Sequence, residues 1–290
     1  MTQNDIYTRV TEQIIEAIAA GETSYRMPWH NDAGGLSTPR NALSKRSYRG
    51  INLLALWAIA AKRGYSSGEW ATYQQWKQLG SQVRKGEKAA DVVLWKVGER
   101  CREEEEHDPQ ARVFLARGYS VFNSAQVDGY TPPAPVELSE AERHTSADAF
   151  FERLRAAIVH GGNEAYYHIG DDVIYLPEFK RFRTAAGYYS TLSHEIVHWS
   201  GAANRLNRSL GARFGSFAYA AEELVAELGA AFLGALLNTG STPRRDHAGY
   251  VASWLTLLRS DKRAIFTAAS QAQKAVDWLC EHSARQSTAA

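Results

Sequence analysis

His194-Glu195-Ile196-Val197-His198 places two imidazoles and a carboxylate in the pattern His-Glu-x-x-His. On a helix, residues four apart share a face, so both imidazoles can bind one Zn²⁺ while Glu195 lies within reach of water beside the metal. Catalytic zinc needs a third protein ligand and an open position. The run Glu222-Glu223-Leu-Val-Ala-Glu227 supplies three acids at the start of an apolar helix. Unpaired carboxylates are costly in such surroundings, so a metal or a base must neutralise at least one of them. Glu223 and Glu227 share a face at i, i+4. Glu223 is the expected metal ligand, and Glu227 is expected to hold a ligating imidazole. Glu222 competes for the ligand role. Zn²⁺ is the expected ion, and Mn²⁺ or Co²⁺ suits the same donors. The implied chemistry is peptide-bond hydrolysis, with Glu195 as the general base.

These groups need helices to position them. Tyr188–Trp199 reads as one helix, stopped by Gly201, and Glu222–Leu237 as another. Upstream, Ala147–His160 reads as a helix ended by Gly161 and Gly162, although Ser139 with Glu142 also has capping-box spacing. Ala165–Ile169 and Val173–Leu176 read as two short strands, and only helices follow them. Before this region, the segment Thr131-Pro132-Pro133-Ala134-Pro135 disfavours regular structure and reads as an extended linker.

The first part of the chain has a different character. Between Ser24 and Lys96, twelve Lys and Arg residues face four acids, a net +8, although the whole chain carries only +1. Nine Trp and Tyr residues are interleaved with these cations. Single-stranded DNA suits such a surface, since phosphates attract the cations and unstacked bases lie on aromatic rings. The candidate contacts are Arg40, Arg49, Trp70, Arg84, Lys85, Lys88 and Lys96. Expected elements are helices at Asp5–Ala20, Asn52–Lys62 and Tyr73–Leu79, and strands at Asp91–Val97 and Arg112–Phe122. The acidic run Glu103–Glu106 reads as a solvated tip between those strands. Cys101 and Cys280 are too far apart in context to form a disulfide scaffold, no apolar stretch is long enough to span a membrane, and no secretory signal is visible. The expected location is the cytoplasm, with no membrane partner.

Two sets of phrases then carry a resemblance. DVIYLPEFKRF, GYYSTLSHEIVHWSG and YAAEELVAELGAAFLGALL resemble the zincin-like metallopeptidase domain of the ArdC antirestriction family. PRNALSKRSYRGINLLALW, GYSSGEWATYQQWKQLGSQVRKGEKAADVVLWK and GYSVFNSAQVDG resemble that family's N-terminal single-stranded-DNA-binding domain, found also in TraC-type primases. The resemblance implies an α+β protein of two domains. An α/β DNA-binding domain would span 1–130, a Pro-rich linker 131–138, and a mainly helical zincin-like domain with a small sheet 139–290. It also implies a plasmid-encoded protein that protects conjugatively transferred DNA from restriction. His194, Glu195 and His198 fall on the family's metal motif, and Glu223 on its acid-rich helix. Two other readings are a DNA-dependent protease of the crosslink-repair type and a binding protein whose metal is structural. Weak or absent proteolysis of generic substrates is expected. A protein partner, either a substrate or a restriction enzyme, is left open.

Overall fold

The computed structural model describes residues 3–21, 27–30, 38–97, 114–133, 139–208, 216–242 and 247–288. Helix α1 (Gln3–Gly21) buries Ile6, Val10, Ile14 and Ile18, the single stripe that a 3.6-residue period creates. Helix α2 (Ile51–Arg63) is buried along most of its length and stops at Gly64, whose φ of 68° closes the helix in the left-handed conformation. Asn52 interrupts its apolar run without penalty. Its side chain donates to the Val93 carbonyl and accepts from the Val93 N–H, both at 2.7 Å.

A four-stranded sheet covers this helix pair. It runs in the order β1 (Arg40–Asn41), β2 (Glu69–Ala71), β5 (Phe114–Asn123), β4 (Ala90–Val97). β4 and β5 form an antiparallel ladder from Ala90↔Val121 to Val97↔Phe114. The expected tip, with Cys101 and Glu103–Glu106, lies outside the described residues. Helix α3 (Tyr73–Gln78) starts at a Thr72–Gln75 capping box, and β3 (Gln82–Val83) pairs with β6 (Val127–Asp128).

Among the described residues, the second part of the chain holds α4 (Glu140–Leu154), a three-stranded sheet and four further helices. The sheet order is β7 (Ala157–His160), β9 (Val173–Leu176), β8 (Tyr166–His168). The helix expected over Ala147–His160 therefore lies earlier in the chain, starting at Glu140 and ending at Leu154. Ser139 and Glu142 form the capping box that starts α4, and Arg155 ends it at φ 54°. Ala157–His160 then pairs in parallel with β9, from Ala157↔Val173 to His160↔Leu176. The β-branched pair Ile158-Val159 favours a strand, but only the distant β9 makes that preference decisive. Helices α5 (Ala185–Ser200), α6 (Phe217–Leu237), α7 (His247–Ser260) and α8 (Ala264–Thr288) complete the fold. Among the described residues, no helix is long and apolar enough to cross a membrane.

The largest buried cluster belongs to both parts of the chain. It joins Ile6, Val10, Leu54 and Trp57 to Leu228, Phe232, Trp254, Ala269 and Leu279. Polar ties accompany it: Thr11 Oγ1 donates to the Lys262 carbonyl at 2.7 Å, and the Gly50 N–H donates to Gln273 Oε1 at 3.0 Å. The sheet adds smaller clusters around Trp70 and Trp76.

Within this core, α5 and α6 cross very closely at Gly229. A Cβ there would stand 2.7 Å from Val197 Cγ2 and 3.0 Å from Cγ1. Gly229→Ala should therefore cost about 1–3 kcal/mol through overpacking. Chemical denaturation of the single and double mutants checks this: Val197→Ala added to Gly229→Ala should recover part of the loss, whereas simple additivity would refute a steric origin.

Candidate metal centre and nucleic-acid surface

The close crossing sets the HExxH helix directly against the acid-rich helix. Thr184 caps α5, its hydroxyl accepting the Gly187 N–H, and Ser216 caps α6 by accepting the Tyr219 N–H. His194, Glu195, Glu223 and Glu227 are all buried. His194 Nε2 and His198 Nε2 face each other at 3.0 Å. Glu223 closes the triangle, with Oε2 3.5 Å from His194 Nε2 and Oε1 3.5 Å from His198 Nε2. Ligands at about 2.05 Å on a tetrahedral ion stand about 3.3 Å apart, so the observed edges fit a single ion among three donors. Among the described residues, His194, His198 and Glu223 form the one group with this geometry.

The outward nitrogens of both imidazoles face carboxylates. Glu222 Oε1 lies 3.3 Å from His198 Nδ1, and Glu227 Oε2 lies 3.8 Å from His194 Nδ1. The three acids of α6 thus take three different positions. Glu223 faces the inner nitrogens, while Glu222 and Glu227 stand behind one histidine each. Glu195 is close enough for its charge to act on His198.

Charge in the site is organised for a cation. Burial alone would push the His198 imidazole down, yet its bonds to Glu222 and Glu223, with the nearby Glu195 charge, push its pKa up to about 10. Burial would raise the Glu223 carboxyl, but His194 and His198 hold it well below the usual carboxylate range. Burial likewise opposes ionisation of Glu222, and His198 and Arg208 overcome it. Glu222 and Glu223 therefore remain charged inside the protein, and the space beside them favours positive charge.

Sequence reading misses the device that holds Glu222. Arg208, on the turn after α5, reaches both Glu222 oxygens at 3.0–3.2 Å and also donates to the Val197 carbonyl. Its neighbour Arg205 donates to the Trp199 carbonyl at 2.6 Å and lies 4.1 Å above the Trp199 ring. Two guanidinium groups thus satisfy carbonyls at the end of α5, where a helix favours cations. The signal is present as two arginines three apart after the Gly201 stop, but no periodicity assigns their partners.

The residues expected to touch nucleic acid are spread more widely. Trp70 is a correction: it is fully buried at the centre of β2, beneath Tyr65, and offers no face to a base. The exposed ring nearby is Tyr73, 44% exposed at the start of α3. Arg40 pairs at 2.6 Å with the buried Glu69 carboxylate. Arg49 pairs with Asp277 of α8, and Arg84 with Glu87 and Asp128. Lys85 and Lys88 are exposed and make no ion pair among the described residues. The Lys96 side chain lies outside the described residues. Asn41 Oδ1 accepts the Leu43 and Ser44 N–H groups, folding a turn that presents exposed Lys45 and Arg46. The Asn41 amide also donates to Gln75, which joins this turn to α3.

Residues 4–122 match the model of the N-terminal domain of anti-restriction factor ArdC, and residues 145–271 match that of a zincin-like metallopeptidase. The crystal structure of the antirestriction protein ArdC from plasmid R388, in its Mn(II)-bound form, is 40% identical. It aligns over 96% of this chain and 98% of that one, with a TM-score of 0.76. The chain belongs to the ArdC antirestriction family. The metal-free ArdC structure aligns with a TM-score of 0.78 at 39% identity, over 97% of this chain and 98% of that one. The uncharacterised protein y4eC of Sinorhizobium fredii is 53% identical over 96% of this chain and 92% of its own length. A DNA primase TraC of Escherichia coli is 35% identical over 97% of this chain, which spans 27% of that larger protein. Family membership accounts for the order of the two regions, with the basic, aromatic one preceding the ArdC zincin-like fold.

The ion pair behind His198 makes a direct prediction for this ArdC-family chain. Arg208→Leu removes the guanidinium from a largely but not fully buried carboxylate and should cost about 3 kcal/mol. Arg208→Leu with Glu222→Leu should recover much of that. Thermal and urea unfolding of the two variants measure it, and an equally unstable double mutant would show that Arg208 acts through the α5 carbonyls instead.

Proposed function

We propose that the chain is a single-stranded-DNA-binding antirestriction protein that protects plasmid DNA entering a restricting host by conjugation. Its second region holds one divalent ion on His194, His198 and Glu223. The observation carrying the metal assignment is the triangle of two imidazole nitrogens and one carboxylate, with edges of 3.0, 3.5 and 3.5 Å. The R388 relative whose structure contains Mn(II) supports a divalent ion in this family. Imidazole and carboxylate donors suit Zn²⁺ and Mn²⁺ alike.

When bound, such an ion supplies Lewis acidity toward water and a carbonyl oxygen. Glu195 would serve as the general base, taking a proton from water and returning it to the leaving amine. Glu222 and Glu227 orient the two histidines from behind and keep them basic. In this reading antirestriction rests mainly on DNA binding, and proteolysis of generic substrates is weak or absent.

For the DNA surface we propose the turn with Lys45 and Arg46, the Tyr73 ring, and Lys85 and Lys88. Cations without protein partners can neutralise phosphate at no cost to an existing ion pair, which favours Lys85 and Lys88 over Arg40 and Arg84, while Lys45 is the outer, 3.8 Å partner of the Glu69 carboxylate that Arg40 holds at 2.6 Å. Tyr73 takes the stacking role first expected of Trp70.

Two experiments test the proposal in the full-length chain. Metal analysis after dialysis should find about one equivalent in the wild type and in Glu222→Gln, and a large loss in His194→Ala and Glu223→Gln. Retention by Glu223→Gln with loss in Glu222→Gln would exchange the roles of the two acids. For DNA, Lys85→Ala/Lys88→Ala should lower the slope of log K against log salt on single strands by about 0.7 for each phosphate that is no longer neutralised. Tyr73→Ala should weaken binding at every salt concentration without changing the slope. Unchanged affinity in both variants would place the DNA elsewhere.

A further inference from the structure

Glu227 does not stand behind His194 unaided. Trp29 Nε1 donates to Glu227 Oε1 at 3.1 Å, and His30 Nε2 lies 2.8 Å from the same oxygen. Both residues come from the first part of the chain, almost two hundred positions away, within the span that matches the ArdC N-terminal model. Trp29, His30 and Glu227 are all buried.

The tautomer of His30 follows from its other nitrogen. The Met27 backbone N–H donates to His30 Nδ1 at 2.9 Å, so Nδ1 is the acceptor and Nε2 carries the hydrogen. Two N–H groups therefore converge on Oε1 of Glu227. Oε2 faces His194 Nδ1 at 3.8 Å, and that nitrogen has no hydrogen-bond partner among the described residues. The arrangement is a chain of contacts: Met27 N–H to His30, His30 N–H to Glu227, and Glu227 to the imidazole whose Nε2 points into the triangle.

We infer that Trp29 and His30 are positioning residues for the metal centre, so that the centre is completed by the first part of the chain. The inference rests on the ligand set proposed above. Its physical basis is geometric: Trp29 and His30 both hold Oε1 of the buried Glu227 carboxylate, which fixes the direction in which Oε2 faces His194, and a carboxylate without those donors is free to turn away. Partners of this kind behind a ligating histidine typically govern about 10–100-fold in metal affinity. Residues 27–30 therefore link metal binding to the seating of the first part of the chain against α6. Anything that displaces this segment weakens the site, and metal binding in turn holds the segment in place.

The test uses the full-length chain, stripped by chelator and titrated with Mn²⁺, following free Mn²⁺ by electron paramagnetic resonance. His30→Leu removes the donor and keeps an apolar core residue, and it should raise the Mn²⁺ Kd about 10–100-fold. His30→Gln offers an amide N–H near the position of Nε2 and should recover most of that loss. Recovery by glutamine separates positioning from mere packing. Trp29→Phe removes the second donor with little change in shape, should also weaken binding, and serves as the primary variant if His30→Leu does not fold. A folded His30→Leu or Trp29→Phe protein that binds Mn²⁺ as tightly as the wild type overturns the inference. His194→Ala is measured in parallel: wild-type affinity there would instead overturn the ligand assignment beneath it.

Discussion

Three carboxylates on one apolar helix, Glu222, Glu223 and Glu227, sit inside the protein, and an isolated ionised carboxylate in such a place costs far more than a domain's net stability. Each must be compensated, and much of the architecture does so. Arg208 reaches back from the end of α5 to Glu222. Trp29 and His30 reach across from the first part of the chain to Glu227. Glu223 faces the two histidines of α5, where the proposed ion would provide the balancing charge. Gly229 lets the two helices approach closely enough for these pairs to form.

This arrangement changes the meaning of the two-part organisation. A metal centre built only from α5 and α6 would need nothing from residues before the Pro-rich segment. Here α1 and α2 share a buried cluster with α7 and α8, and Trp29 and His30 extend that contact to a carboxylate behind His194. The basic surface and the centre are thus parts of one packed body. The proposed DNA contacts, in the turn near Asn41, at Tyr73 and at the Lys85–Lys88 turn, lie on elements around the four-stranded and β3–β6 sheets, away from α5 and α6 in the chain.

How much of this is legible in the sequence depends on whether the signal is local. The HExxH helix and the acid-rich helix both follow from periodicity and stop signals within about twenty residues, and the structure forms both, with starts at Ala185 and Phe217 that precede the expected ones, while the α+β class follows from the family resemblance. Glu223 is separable from Glu222 only as a preference, because the two are adjacent on the same helix. Their different positions arise from Arg208 and the two sides of the His198 ring. Trp70 is misread because composition cannot tell an exposed ring from a buried one three residues away. Similarly, Ile158-Val159 prefers a strand, but the gain depends on pairing with β9, and that partner is not encoded locally. The contact from His30 to Glu227 spans almost two hundred residues and leaves no mark in spacing at all.

The central claim is that one divalent ion occupies the space between α5 and α6. It is tested most directly by anomalous diffraction from a crystal of the full chain soaked in Mn²⁺, with data collected at the manganese edge. The account predicts one strong peak within about 2.0–2.3 Å of His194 Nε2, His198 Nε2 and a Glu223 oxygen, with Glu222 remaining on His198 Nδ1. A peak coordinated by Glu222 in place of Glu223, or no peak between the two helices at saturating Mn²⁺, would contradict it.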